Sequence, residues 1–283
     1  MYCFGCGLNV AVEESLSLGT YAALRCARCA SITTSPMPSV EELAEFYSHY
    51  SDNYSAGMES RYETEMPKRW AARLRMIRRE GGVGRLLDLG GANGMFARLA
   101  HESGFSVRVV DYVPKSIDLG FARVEPGDLS RRGGVALPDS TADVVTMWSC
   151  LEHVTDPAAA LDEARRLLRP GGLLAIDTPL VGDACERLFA SHSHWIAPPE
   201  HLNLFSRRGL AMAVSRAGFE PRVHEAFHER SRVRWLARRG RNLAVALKGA
   251  LTLLRSRSAW RASRQESVTQ AGDIQVLLAV RPA

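Results

Sequence analysis

Leu86-Leu87-Asp88-Leu89-Gly90-Gly91-Ala92-Asn93-Gly94 is the stretch on which the fold of this 283-residue chain turns. The apolar run from Gly84 to Leu89 has the length and side chains of a buried strand, and it enters a glycine turn. Met95-Phe96-Ala97-Arg98-Leu99-Ala100 reads as the helix that follows. Val107-Arg108-Val109-Val110 reads as a second strand, which ends on Asp111. A strand, a glycine turn, a helix and a strand closing on a carboxylate form half of a nucleoside-binding α/β unit. Glycines let the backbone approach a ligand closely, because a Cβ there would collide with it. The terminal carboxylate is placed to accept hydrogen bonds from both hydroxyls of a ribose.

The spacing argues against a dinucleotide. That fingerprint reads G-x-G-x-x-G, with a pyrophosphate on the helix N-terminus. Here the order is Asp88-x-Gly90-x-x-x-Gly94, and an acid two residues before the first glycine would repel a pyrophosphate. The arrangement resembles motif I of the class I S-adenosylmethionine-dependent methyltransferases. Asp111 matches the acid that binds the ribose in that family. Ala92 departs from the middle glycine of many members. The resemblance implies a cofactor site at Asp88, Gly90, Gly91, Gly94, Asp111 and Tyr112.

Later segments extend it. Asp128-Leu129 and the strand-like Ala142–Ser149 resemble the family's third and fourth motifs, which implies Asp128, Leu129, Trp148 and Ser149 around the cofactor. Leu151-Glu152-His153-Val154-Thr155-Asp156-Pro157 is similar to the segment that follows the fourth strand in the family. A helix follows, with Ala160, Leu161, Ala164, Leu167 and Leu168 on its buried side. Arg169-Pro170-Gly171-Gly172 stops it before a strand, Leu173 to Pro179. The implied fold is α/β, a Rossmann-like seven-stranded methyltransferase sheet. Its last strand is the apolar run from Gly272 to Val280.

Cys3-x-x-Cys6 and Cys26-x-x-Cys29 have the spacing of a zinc ribbon, with four thiolates closing a tetrahedron around one structural Zn2+. Disulfides are disfavoured in the cytoplasm, and a redox pair by the lack of a thioredoxin-like context. Cys150 and Cys185 stand alone, as core residues by default, with Cys150 next to the cofactor strand.

Three units follow from this reading. Residues 1–34 form the ribbon, 35–79 connecting helices over the active site, and 80–283 the cofactor-binding domain, with a basic helical insert at about 230–266 before the last strand. In the connecting part, Ser39 is an N-cap and Glu42 completes a capping box for the helix ending near Tyr47. Tyr47, Tyr50 and Tyr54 are expected near the pocket mouth or in surface packing. A zinc ribbon, this helix and a class I domain together resemble bacterial methyltransferases of polysaccharide and natural-product pathways.

The acceptor side is expected in residues 190–205, read as a loop because of Pro198-Pro199. His194, Trp195 and Glu200 are the candidate substrate contacts there. A hydroxyl acceptor must lose a proton during methyl transfer, and a neutral histidine suits that task near pH 7. His201 and His153 are the candidate bases. The competing readings are a loop-holding residue for His153 and a fastening of the helix start for Glu200-His201. His192 and His194 are weaker candidates, with no third metal ligand beside them.

Composition fits one α/β domain with a small appendage: 46% of residues are hydrophobic and 24% charged. No signal peptide and no run of about 20 apolar residues is visible, so a cytoplasmic location is expected. The net charge of +5 is uneven. Between Arg222 and Arg264 lie twelve basic residues against Glu225 and Glu229 alone. That segment reads first as packing with a solvated basic face. Next comes a surface for phosphate-bearing or glycosylated acceptors or for peripheral membrane contact. Nucleic-acid binding is the least favoured use. The favoured activity is O-methylation of a small-molecule sugar or natural-product scaffold. N- or C-methylation, an RNA-base methyltransferase and a non-catalytic cofactor-binding scaffold are the alternatives.

Overall fold

The computed structural model describes residues 1–48, 56–112, 119–182, 195–227 and 274–283. Expectations placed on Tyr50, Tyr54, Cys185, His192, His194 and the insert at 230–266 lie outside the described residues.

The chain opens with five short strands, β1 (Tyr2–Cys3), β2 (Leu8–Asn9), β3 (Val12–Leu18), β4 (Tyr21–Cys26) and β5 (Ile32–Ser35). Two helices follow, α1 (Val40–Ser48) and α2 (Ala56–Arg79). The expected capping box starts α1: Ser39 N donates to Glu42 Oε2 at 2.7 Å and Glu42 N to Ser39 Oγ at 3.2 Å. Next come β6 (Arg85–Leu89), α3 (Met95–Glu102), β7 (Ser106–Asp111), β8 (Val124–Pro126) and β9 (Ala142–Trp148). The chain continues through α4 (Pro157–Leu167), β10 (Leu168–Val181), β11 (Asn203–Ser206), α5 (Arg207–Arg216), β12 (Glu220–Phe227) and β13 (Ile274–Val280).

Seven of these strands form the expected sheet, in the order β8-β7-β6-β9-β10-β13-β12. Its first five are parallel, and β13 runs antiparallel between β10 and β12. Side chains alternate between two cores, as the period of two in a strand requires. Leu174, Ile176 and Leu277 pack with Leu161 and Ala164 of α4 and Leu210 of α5. Leu173, Ala175 and Leu278 pack with Trp70 and Ile77 of α2 and Phe96 of α3. Helices therefore cover both faces, which explains why these strands read as unbroken apolar runs.

Each helix start is set locally. Gly94 adopts φ 69° to turn into α3, a left-handed geometry that glycine takes at no steric cost. Asp156 caps α4 by accepting from Ala158 N and Ala159 N, with Pro157 at the first turn. The predicted face of α4, including Ala160, Leu161, Ala164 and Leu167, is buried.

Two expectations on local structure are corrected. The strand predicted from Leu173 starts at Leu168, because Leu168 already pairs with Ala142 and residues 169–172 bulge out before Leu173 pairs with Val144. Residues 190–205 do not end as a loop: Asn203–Ser206 form β11, every residue of it buried. Pro198-Pro199, a few residues upstream, pointed to a loop, and the four-residue strand is too short to show a period.

That strand joins the ribbon to the sheet. The far end of β10, Leu180–Val181, pairs with Phe205–Ser206, and β11 in turn pairs with β5 through Asn203 and Leu204. β5, β4 and β3 continue outward, so eleven strands form one sheet. Among the described residues, no helix is long and apolar enough to cross a membrane.

Candidate active site

The glycine loop runs from the end of β6 to the start of α3. Gly90 N and Gly91 N both donate to Val110 O, at 2.8 and 3.3 Å, which binds the loop to β7. Gly90 takes φ 73° and Ala92 φ 46°, and a Cβ on Gly90 would lie 2.5 Å from Cys150 Sγ. The carboxylate of Asp111, at the end of β7, accepts from Ala92 N at 2.9 Å. Gly127 N donates to Asp111 O, which brings the Asp128-Leu129 segment to the same strand end. Through its glycines the loop packs against Cys150, Val109 and Leu119, and it leaves Ala92 and Asn93 exposed beside Asp111.

The predicted cofactor residues fall into two kinds. Asp111, Tyr112, Trp148 and Ser149 are at least partly exposed at strand ends. Asp88 is only 1% exposed and accepts from Thr146 Oγ1 at 2.6 Å. It lies under the loop, where a Cβ on Gly91 would meet its Oδ2 at 2.8 Å. Burial pushes the Asp88 carboxyl up to about 7. Leu129 packs in the core, and Asp128 closes its own turn by accepting from Ser130 N at 2.9 Å.

At the end of β9, Ser149 has φ 45°. Its N–H donates to Asp177 Oδ1 at 2.7 Å, and the same carboxylate pairs with Arg69 at 2.9 Å and Arg73 at 2.6 Å. Burial alone would raise the Asp177 carboxyl, but the two guanidiniums of α2 hold it below its usual range. Trp148 packs edge-on against Phe96 at 5.2 Å, and its buried indole Nε1 has no partner among the described residues. An unpaired buried donor beside the loop suits a polar ligand there.

The two candidate bases, distant in sequence, meet. Leu202 N and Asn203 N donate to Glu152 O, and Asn203 Nδ2 to Val154 O, which laces the segment before β11 onto the turn after β9. The rings of His153 and His201 lie 4.9 Å apart, edge to face. His153 Nδ1 donates to Glu200 O at 2.8 Å, and Tyr47 Oη from α1 lies 3.4 Å from the same nitrogen. His201 Nδ1 donates to Trp195 O at 2.7 Å. Both Nδ1 atoms are held by carbonyls, which only accept, so Nε2 carries the lone pair on each ring. Burial lowers both imidazoles, His153 to about 3, and raises the buried Glu152 carboxyl to about 8.

Trp195 and Ile196 pack against Ala23, Ile32 and Leu204, so ribbon strands back the segment expected to face the acceptor. A shallow cleft of about 510 Å³ lined by Arg132, Pro138 and Arg166 shares no residue with this arrangement.

The four ribbon cysteines converge. Their sulfur atoms all lie within 4.8 Å of one another and all four residues are buried. Cys3 and Cys29 Sγ are 3.5 Å apart, Cys6 and Cys26 Sγ 3.8 Å. Four thiolates at about 2.3 Å from one tetrahedral ion lie about 3.8 Å from each other, so the set fits zinc. Cys26 Sγ accepts from Arg28 N and Cys29 N, contacts that favour a thiolate.

Arg69, Arg73 and Asp177 escaped the sequence reading. Asp177 alone carried a signal, as an acid inside an otherwise apolar strand, but nothing in the sequence pointed to its partners on α2.

Residues 62–224 match the Methyltransf_23 family, described as a methyltransferase domain. The chain belongs to this family. The methyltransferase is 27% identical over 212 residues to an uncharacterized methyltransferase of Mycolicibacterium vanbaalenii, covering 70% of this chain and 76% of the relative. It is 32% identical over 106 residues to the malonyl acyl-carrier-protein O-methyltransferase of Serratia marcescens, covering 36% of this chain. It is also 32% identical over 100 residues to a ubiquinone biosynthesis O-methyltransferase of Cereibacter sphaeroides, covering 33% of this chain. The match spans 40% of each of these two relatives.

Among solved structures, the 1,6-didemethyltoxoflavin-N1-methyltransferase of Burkholderia thailandensis superposes with a TM-score of 0.56 at 17% identity, covering 95% of this chain and 100% of that one. That structure holds 1,6-didemethyltoxoflavin and S-adenosylhomocysteine. At this identity the likeness is one of fold. Family and fold together make the chain a class I S-adenosylmethionine-dependent methyltransferase.

Proposed function

We propose that this methyltransferase O-methylates a small-molecule acceptor, a sugar or natural-product scaffold, in the cytoplasm. The observation that carries the reading is the meeting of His153 and His201 beside the ends of the cofactor strands. S-adenosylmethionine supplies, when bound, a methyl carbon already activated by a positive sulfur. The glycine loop and Asp111 hold its nucleoside, and Trp148 and Ser149 flank it.

The remaining tasks fall to the chain's own groups. Trp195 and Glu200 border the acceptor and orient its hydroxyl. As the new oxygen–carbon bond forms and the sulfur–carbon bond breaks, the electron pair returns to sulfur. The hydroxyl proton passes to Nε2 of His201, which carries a free lone pair. His153, lowered to about 3 by burial, stays neutral and holds the turn on Glu200 O. An amine acceptor needs no such base, which is why oxygen is favoured.

The four ribbon cysteines hold one structural zinc in this reading. Four thiolates leave no open position, so the ion shapes the ribbon and takes no part in transfer. Four cysteines outside any disulfide also suit a reducing compartment.

Calorimetry with S-adenosylhomocysteine tests the cofactor site, and lack of binding would remove every methyltransferase reading. A donor carrying a 13C methyl, offered with panels of nucleotide sugars, phenols and amines, tests the acceptor. The carbon shift of the product separates O-, N- and C-methylation, and label found only on nitrogen or carbon sinks the O-methylation proposal.

A further inference from the structure

Glu152, His153 and His201 bring one ligating atom each to within 4.8 Å of the other two. We propose that these three side chains bind one divalent cation through the Glu152 carboxylate and Nε2 of both histidines. The site lies in the acceptor region, so the use of the ion rests on the methyltransferase reading, while its binding does not.

Three features of the geometry carry the inference. First, each imidazole is locked by its other nitrogen: Nδ1 of His153 on Glu200 O at 2.8 Å and Nδ1 of His201 on Trp195 O at 2.7 Å. A carbonyl on Nδ1 fixes the tautomer and aims the Nε2 lone pair, the arrangement that histidines bound to metals adopt.

Second, the three groups do not satisfy one another. His153 Nε2 stands 4.0 Å from Glu152 Oε1, beyond hydrogen-bond reach. Glu152 is 1% exposed, and its Oε2 has no hydrogen-bond partner among the described residues. A buried carboxyl oxygen left unpaired is costly unless something occupies the space before it. Donors bound at about 2.0–2.2 Å to one ion lie about 3–3.6 Å apart, a small side-chain rotation from the spacing observed.

Third, the ligands are tied into place by backbone. Glu152 O accepts from Leu202 N and Asn203 N, which fixes the segment carrying His201 to the segment carrying Glu152 and His153.

Two imidazoles and one carboxylate suit manganese, iron, cobalt or zinc and leave positions open. This distinguishes the site from the ribbon, where four thiolates saturate the ion. An acceptor oxygen bound at an open position becomes more acidic, and its proton passes to water. In the metal-loaded chain both Nε2 lone pairs are engaged, so the ion takes the place of the His201 base, and only the methyl transfer itself is common to the two states.

The test uses the full chain with its ribbon zinc-loaded and Mn2+ as the probe, since Mn2+ avoids thiolates. Electron paramagnetic resonance counts free Mn2+ during titration. The expected result is one Mn2+ per chain, displaced by an equivalent of added Zn2+. Binding should weaken at least tenfold in Glu152→Gln and in His201→Ala. Absence of Mn2+, Co2+ and Zn2+ binding beyond the ribbon ion in the wild type overturns the proposal. Unchanged Mn2+ affinity in both variants overturns it equally. S-adenosylhomocysteine calorimetry on the same samples separates the two readings. A chain that takes up the cofactor product and no second ion loses only the cation site. A chain that takes up Mn2+ and no cofactor product keeps the site and loses the methyltransferase role.

Discussion

Thr34 Oγ1 donates to the His201 carbonyl at 3.2 Å, and Thr34 N donates to Leu202 O at 2.8 Å. The last strand of the ribbon thus holds the backbone of His201 directly. Ser206 extends the link, since its hydroxyl donates to Cys29 O and its N–H to Ser31 Oγ at 3.1 Å. Thr34→Val keeps the shape and removes one side-chain hydrogen bond. It should cost about 0.5–1.5 kcal/mol of stability and lower kcat while leaving S-adenosylhomocysteine affinity unchanged. Denaturant unfolding, steady-state kinetics and calorimetry check the three parts, and a kcat equal to wild type would show that this bond does not position His201.

Asp111 is the ribose candidate and also accepts from Ala92 N. Asp111→Ala should weaken cofactor-product binding by about 1–3 kcal/mol, the loss typical of charged hydrogen bonds. Calorimetry reads it. Wild-type affinity would remove Asp111 from the cofactor site.

Asp88 should make stability depend on pH in an unusual direction. Its folded-state carboxyl is raised by burial to about 7, above the ~3.9 of an unfolded aspartate. The folded chain therefore holds the proton more tightly. The contribution to stability is fully present below the unfolded value and is lost as pH rises through the folded one. Wild-type stability should fall between about pH 4 and pH 7 by a component that Asp88→Asn abolishes. Urea unfolding across that range measures it, and identical slopes for the two proteins would contradict the raised value.

The sequence carried the α/β sheet clearly because both of its faces are buried. Leu173-Leu174-Ala175-Ile176 is apolar throughout for that reason, and Gly90 and Gly94 mark turns that few other residues can make. The convergence of the cysteine pairs was equally legible, since the spacing of two Cys-x-x-Cys pairs that suits a tetrahedral site brings four thiols together. The fusion of ribbon to sheet was not legible. It depends on a pairing between β5 and β11, and neither short strand has a pattern that names its partner. The cluster expected to face the acceptor was half legible. His153 and His201 were visible as residue types, but Glu152 becomes a neighbour of His201 only through hydrogen bonds made after folding.

Asp177 sits where α2, β9 and β10 meet, and its replacement should unlock all three. The carboxylate is 1% exposed, pairs with Arg69 and Arg73, and accepts from Ser149 N and Oγ. Asp177→Asn removes the charge and leaves two guanidiniums facing a neutral amide. Breaking a buried pair from one side costs about 3–5 kcal/mol. The loss should also relax Ser149 from its left-handed conformation, φ 45°, and so weaken cofactor-product binding. The acid dependence follows from the depressed carboxyl. Its contribution is present above the unfolded value and is lost as pH falls through the folded one. The variant should accordingly lose part of the acid sensitivity of the wild type below about pH 4. Denaturation at neutral and acid pH, with calorimetry on the folded fraction, tests both effects. A variant as stable as wild type at pH 7 would mean that the pair is offset by its own desolvation, and an unchanged affinity would separate Ser149 from the cofactor.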